Sequence, residues 1–204
     1  MGSVLTRVVT AVVAAVLLAG CGGASDSRDG GATGETTSDA PAITGEPAGF
    51  NADDIAFANN MIPHHKQAIE LSGLVPDRST DPELTTLAGT IAAEQQPQIN
   101  VLNVLLVQWG ETPQLGAGAH TGHGQNMQGM VDDATMAKLT SLSGREFDTL
   151  WLQSMISHHQ GAIEMAKAEI AHGDNVDAVS MAKTMVATQE AEIGQMKKML
   201  EGKS

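Results

Sequence analysis

Met61-Ile62-Pro63-His64-His65 and Met155-Ile156-Ser157-His158-His159 each place one thioether three residues ahead of two imidazoles. Thioether and imidazole donors suit Cu(I), whereas carboxylate-rich sets suit harder ions. A third group, His120, His123, Met127 and Met130, falls in a Gly-rich stretch without apolar periodicity, a composition suited to collecting soft metal ions. Cys21 is the one cysteine, so the chain can form no internal disulfide.

At about 100° per residue, Asp54, Phe57, His64, His65 and Ala68 all fall within about 60° of Met61. Asp148, Trp151, His158, His159 and Ala162 are arranged in the same way around Met155. Both motifs therefore lie on the inward stripe of an amphipathic helix. Glu70 and Glu164 fall on the opposite side and cannot join the Met/His face of their own helices. On the partner helices, Gln95 is surrounded by Leu84, Ala88, Ile91, Ile99, Leu102 and Leu106. Gln189 is surrounded by Ala178, Ala182, Met185, Ile193, Met196 and Leu200. A buried amide needs a hydrogen-bond partner, and a ligand His passes its second ring nitrogen to such a group. Gln95, Gln189, Asp54 and Asp148 are therefore expected to support the imidazoles from behind. The competing reading is that the His/Gln pairs are core hydrogen bonds with no metal.

The elements that position these residues come from an internal duplication. The offset of 94 residues that relates Met61 to Met155 also relates Asp54 to Asp148, Phe57 to Trp151, Gln95 to Gln189 and Ile99 to Ile193. Met165, Met181, Met185, Met196 and Met199 align with plain aliphatics and are read as core. Each copy predicts two helices, over about 51–72 and 81–109 in the first and 143–172 and 175–200 in the second. The signals are Asn51 and Asp54 as a cap, Gly73 as a stop, Asp81-Pro82 as cap and first turn, and Gly110 as a terminator. Ser143-Gly144-Arg145-Glu146 has the pattern of a capping box, and a short helix over 133–139 lies between the copies. Pro63 and Pro97 should kink their helices. Two tandem helical hairpins, about 51–110 and 143–204, joined by the Gly/His/Met loop 111–131, make an all-α four-helix bundle over residues 51–204.

Residues 1–20 read as a lipoprotein signal peptide. Arg7 precedes an apolar run from Val8 to Leu18, and Leu18-Ala19-Gly20-Cys21 resembles a lipobox. Cys21 is the expected lipidation (palmitate) site. Residues 21–50, rich in Gly, Ser, Thr, Asp, Ala and Pro, read as a disordered tether. A formal charge of −13 excludes nucleic acid as a partner. Bundle di-iron chemistry needs two Glu-x-x-His motifs plus two further Glu; only Glu169 to His172 fits, and no nucleophile elbow or P-loop is present.

The doubled Met-Ile-x-His-His-x-x-Ala-Ile-Glu, with Gln95/Ile99 and Gln189/Ile193, resembles the bacterial domain-of-unknown-function family 305 over about Asn51 to Leu200. The resemblance implies a ferritin-like bundle, often secreted or lipid-anchored, with periplasmic copper binding in some members. It favours Met61, His64, His65, Met155, His158 and His159 as ligands. The expectation is a non-enzymatic, lipid-anchored protein on the extracytoplasmic face of the cell membrane that binds or buffers Cu(I) through Met and His. Its expected partners are the membrane, through Cys21, and a metal ion; homo-oligomerisation is left open. The alternative is a structural or interaction protein of the envelope.

Overall fold

A computed structural model describes residues 48–112 and 128–202, all within one compact unit, Thr44–Ser204. The signal peptide, Cys21, nearly all of the tether, His120, His123 and Met127 lie outside the described residues. The described elements are helical: α1 (Ala52–Gly73), α2 (Val75–Arg78), α3 (Pro82–Gln108), α4 (Asp133–Ser141), α5 (Gly144–His172) and α6 (Val176–Glu201). Four of them are long. α1 packs on α3, α5 on α6, and the two hairpins meet along α1 and α5, giving the all-α bundle.

The caps explain where the helices begin. Asn51 and Asp54 form a reciprocal capping box at α1. Asp81, Asp132 and Asn175 each accept first-turn N–H groups at α3, α4 and α6, satisfying donors that a helix cannot satisfy itself. α3 ends on Trp109 with Gly110 at φ 76°. There Gly110 N–H donates to Val107 O and Glu111 N–H to Leu106 O, which completes a Schellman motif. Ser143 departs from the expected capping box, since its side chain makes no cap hydrogen bond. The chain instead enters α5 through Gly144 at φ 59°, a left-handed turn that glycine adopts without penalty. The connection after α1 also holds the extra turn α2, with Pro76 in its first positions. α1 and α3 run uninterrupted through Pro63 and Pro97.

The core has two apolar ends with a polar layer between them. One end joins Leu71, Leu84 and Ile91 to Phe147, Trp151, Met155 and Met196. The other joins Phe57, Met61 and Ile62 to Leu102, Leu106, Ala166, Ala182 and Met185. Antiparallel helices place the early part of α1 beside the late part of α5, so each apolar cluster takes one half of every long helix. The five Met aligned with aliphatics belong to these clusters. Trp151 Nε1–H donates to Leu71 O at 2.8 Å, pinning α5 to the end of α1 and satisfying a buried indole.

Candidate metal centre

His64, His65, His158 and His159 occupy the polar layer, each at most 1% exposed. Adjacent helical residues point about 100° apart, so the two members of a pair cannot face the same neighbour, and the structure gives them different partners. His64 and His158 meet across the α1/α5 contact, with ring centroids 3.7 Å apart. His65 and His159 turn back into their own hairpins. His65 Nε2 is 2.6 Å from Gln98 Oε1, and His159 Nε2 is 2.7 Å from Glu192 Oε2. The 94-residue offset relates Gln98 to Glu192, so the duplication carries this contact as well, with an amide in one copy and a carboxylate in the other.

Gln95 and Gln189 do not fill the role expected of them. Both are buried, yet Oε1 of each has no protein hydrogen-bond partner. The groups that reach imidazoles, Gln98 and Glu192, lie three residues later, about 60° round the helix from the stripe centre. A wheel centred on Gln95 leaves them at its flank. The signal available was the offset itself, which pairs two polar residues at that flank. Asp54 also lies elsewhere. It accepts from Asn51, Asp174 and Asn175 N–H groups, tying the start of α1 to the α5–α6 turn. Ten residues separate it from His64, about 15 Å along the helix. Asp148 is buried at the equivalent place in α5, the same ten residues before His158. Met61 and Met155 are fully buried one turn before their His pairs. They flank the layer from opposite ends, Met61 among Phe57 and Leu102, Met155 among Trp151 and Leu152.

A strap that the sequence did not reveal covers the layer. Gln67 Nε2 donates to Val131 O and Gln67 Oε1 accepts from Val131 N–H, both at 2.8 Å. This holds residues 128–131 against α1. On the other side the strap lies on Gly161, where a Cβ would overlap the Gln128 carbonyl, and Gly129 adopts φ 87°. Gln67 and Gly161 are themselves related by the 94-residue offset. One copy supplies a clamp and the other supplies room. The Gln128 carbonyl lies 3.4 Å from His64 Nε2, and Met130 is half-buried two residues on.

Burial controls the protonation of the rings. It holds His64 down to about 4, against a smaller upward pull from the Gln128 carbonyl and a further lowering by His159. It holds His65 down to about 3, although Gln98 pulls upward, with His64 and His159 adding to the depression. His158 is held well below the usual range by burial and by the other three imidazoles. Neutral imidazole is the form that presents a lone pair to a metal. His64 Nδ1, His65 Nδ1, His158 Nε2 and His159 Nδ1 are buried without a protein hydrogen-bond partner. At about 1–3 kcal/mol each, four such atoms represent a cost comparable with the net stability of a domain, about 5–15 kcal/mol. A cation taking those lone pairs would remove the cost. The donor set therefore fits a soft or borderline metal ion. Among the described residues, no three His, Cys, Asp or Glu side chains form a metal-holding group, so a site here would need a Met thioether beside the imidazoles.

The chain matches the family described as Domain of unknown function (DUF305) over residues 54–200. Among solved structures it is similar to a DUF305 protein from Streptomyces coelicolor, with 35% identity and a TM-score of 0.67, covering 74% of this chain and 93% of that one. It is also similar to a DUF305 fragment from Deinococcus radiodurans, with 29% identity and a TM-score of 0.66, covering 76% and 99%. CopM, solved in Cu(II)-bound, Cu(I)-bound and Ag-bound forms, is 28% identical in the Cu(II) form with a TM-score of 0.63, covering 73% and 96%. A stretch of 54 residues is 43% identical to uncharacterized protein L153 of Acanthamoeba polyphaga mimivirus, spanning 26% of this chain and 36% of that protein. With most of its folded length matched, the chain belongs to the DUF305 family.

Proposed function

We propose that this protein binds Cu(I) in the cell envelope, held at the extracytoplasmic face of the membrane by lipid on Cys21, and that it buffers the metal without catalysing a reaction. The observation that carries the reading is the layer of four buried imidazoles, each with one ring nitrogen left without a protein partner, with His64, His65 and His158 held neutral by burial. Met61 and Met155 supply thioethers one turn away. Such donors select Cu(I) over Mg(II) or Ca(II), and a d10 ion accepts the two or three donors that imidazoles of the layer and a flanking Met provide. CopM, similar over most of this chain, is known with copper and with silver bound, which supports the same class of ion here. No described helix is long and apolar enough to cross a membrane.

A second reading has its own observation. The short His65–Gln98 and His159–Glu192 contacts are what a metal-free core with specified register would also contain.

Competitive titration with Cu(I) against a chromophoric chelator, with Ag(I) and Zn(II) in parallel, separates the two. Tight Cu(I) and Ag(I) binding with weak Zn(II) binding is expected. Binding no stronger than the chelator's would leave only the architectural role. The same cultures grown with labelled palmitate should give labelled protein, and label that survives Cys21→Ser would remove the anchor.

A further inference from the structure

Imidazole and thioether carry no charge as metal ligands, so a cation placed among the four His and two Met brings uncompensated charge into the core. An unpaired buried charge is costly by many kcal/mol unless a counter-charge lies close. The buried acidic residues among those described are Asp54, Asp148, Glu169 and Glu192. Asp54 is engaged in the caps at the far end of α1, with Glu169 beside it. Asp148 lies ten residues before His158, about 15 Å along α5. Glu192 differs from all three. It is 8% exposed and touches His159 at 2.7 Å, and its second oxygen, Oε1, has no protein partner. Glu94, on the other wall of the α3/α6 groove that Glu192 lines, is exposed, and partial burial and the Glu192 charge raise its carboxyl, so Glu192 is the acid in contact with the rings.

Building on the copper-binding reading, we propose that Glu192 is the counter-ion of the site, and that its single charge matches the layer to monovalent rather than divalent soft cations. When His159 Nδ1 takes the metal, Nε2–H donates to the Glu192 carboxylate, the carboxylate–histidine–metal arrangement that raises ligand basicity. The pair of metal and carboxylate is then neutral overall, which a divalent ion in the same place is not. The first hairpin shows what the contact looks like without charge, since His65 meets the amide of Gln98 at the related position.

That pseudo-symmetry supplies the test. Glu192→Gln installs in the second hairpin the residue type that the first already accommodates, so the fold should persist, checked by circular dichroism and apo-protein melting. Changes to groups behind a metal ligand typically cost 10–100-fold in affinity. Ag(I) and Cu(I) affinity, measured by chelator competition on the full chain, should fall about that much, and Zn(II) affinity should fall further, because a divalent ion loses twice the attraction to the removed charge. The double exchange Glu192→Gln with Gln98→Glu returns one negative charge to the layer from the other hairpin and should restore most of the Ag(I) affinity. Unchanged affinity in Glu192→Gln would overturn the assignment. Loss without recovery in the exchange would overturn it too, by showing that Glu192 contributes shape rather than charge. Absence of Ag(I) and Cu(I) binding by the unaltered protein would instead fail the copper reading itself.

Discussion

The two hairpins start from one pattern and part company where they meet the polar layer. His65 answers to a neutral amide and His159 to a carboxylate. Gln67 clamps the strap, and its counterpart Gly161 makes room for it. Further along, Val75 is a fully buried apolar residue while its counterpart Glu169 is an equally buried acid. The apolar positions, by contrast, stay interchangeable between copies. Duplication thus set most of the packing, and these three divergences set charge and cover. In each hairpin the first His faces the other hairpin and the second faces its own partner helix, so the copies cooperate in one layer.

The largest expected effect tests that cooperation. Ag(I) at a hundred times its Kd should stabilise the protein by about 2.7 kcal/mol, read as the difference in unfolding free energy between loaded and apo protein. His64→Ala and His158→Ala, made separately, should each remove most of that increment, because the 3.7 Å approach of the two rings places one from each hairpin in the same site. A variant that retains half the metal stoichiometry with unchanged affinity would break the comparison, since each hairpin would then hold its own ion.

Next in size is a pair of glycine substitutions with opposite signs. Gly161→Ala drives a methyl group into the strap backbone at Gln128 and should cost about 1–3 kcal/mol, the range for overpacking. Gly194→Ala, within α6 where an added Cβ meets nothing within 4 Å, should stabilise by about 0.5–1 kcal/mol from helix propensity alone. Urea midpoints of the two variants give the contrast directly. Equal stabilisation by both would mean that the strap does not press on α5.

Much of this is legible in the sequence alone. The period of the apolar positions, the caps at Asn51 and Asp81, and the 94-residue offset led to the four long helices and the inward Met/His stripes. What was hidden depended on relations between helices. A wheel treats each helix alone, so it centred on Gln95 and Gln189 and missed Gln98 and Glu192, which reach the rings because of how α3 and α6 lie against α1 and α5. Asp54 shared the stripe by angle but sits a full ten residues from His64, and angle carries no information on height. The strap was hidden because Gly161 reads as an unremarkable mismatch to Gln67 until the chain crossing it is seen. Ser143 had the letters of a capping box, yet the left-handed Gly144 removed the geometry.

The smallest expected effect concerns the third divergence, Val75 against Glu169. Burial first, then the hydrogen bond and charge of Asp54, raise Glu169 to about 8 from its ordinary 4.5. Asp54 is itself lowered: burial pushes it up, but the Glu169 hydrogen bond and the N–H groups of Asn51, Asn175 and Asp174 together outweigh that. A folded state that holds a proton the unfolded chain releases is favoured at low pH. Between about 4.5 and 8 the native protein binds more protons at this site than the unfolded one, so this contribution to stability is full below that window and declines as pH rises through it. Glu169→Gln keeps a neutral hydrogen-bonding group beside Asp54 and has no proton to lose. Its unfolding free energy, measured in urea at pH 5.5 and pH 8.5, should therefore decline less between the two pH values than that of the unaltered protein. Identical declines would show that Glu169 is already ionised across the window and that the carboxylate pair does not share a proton.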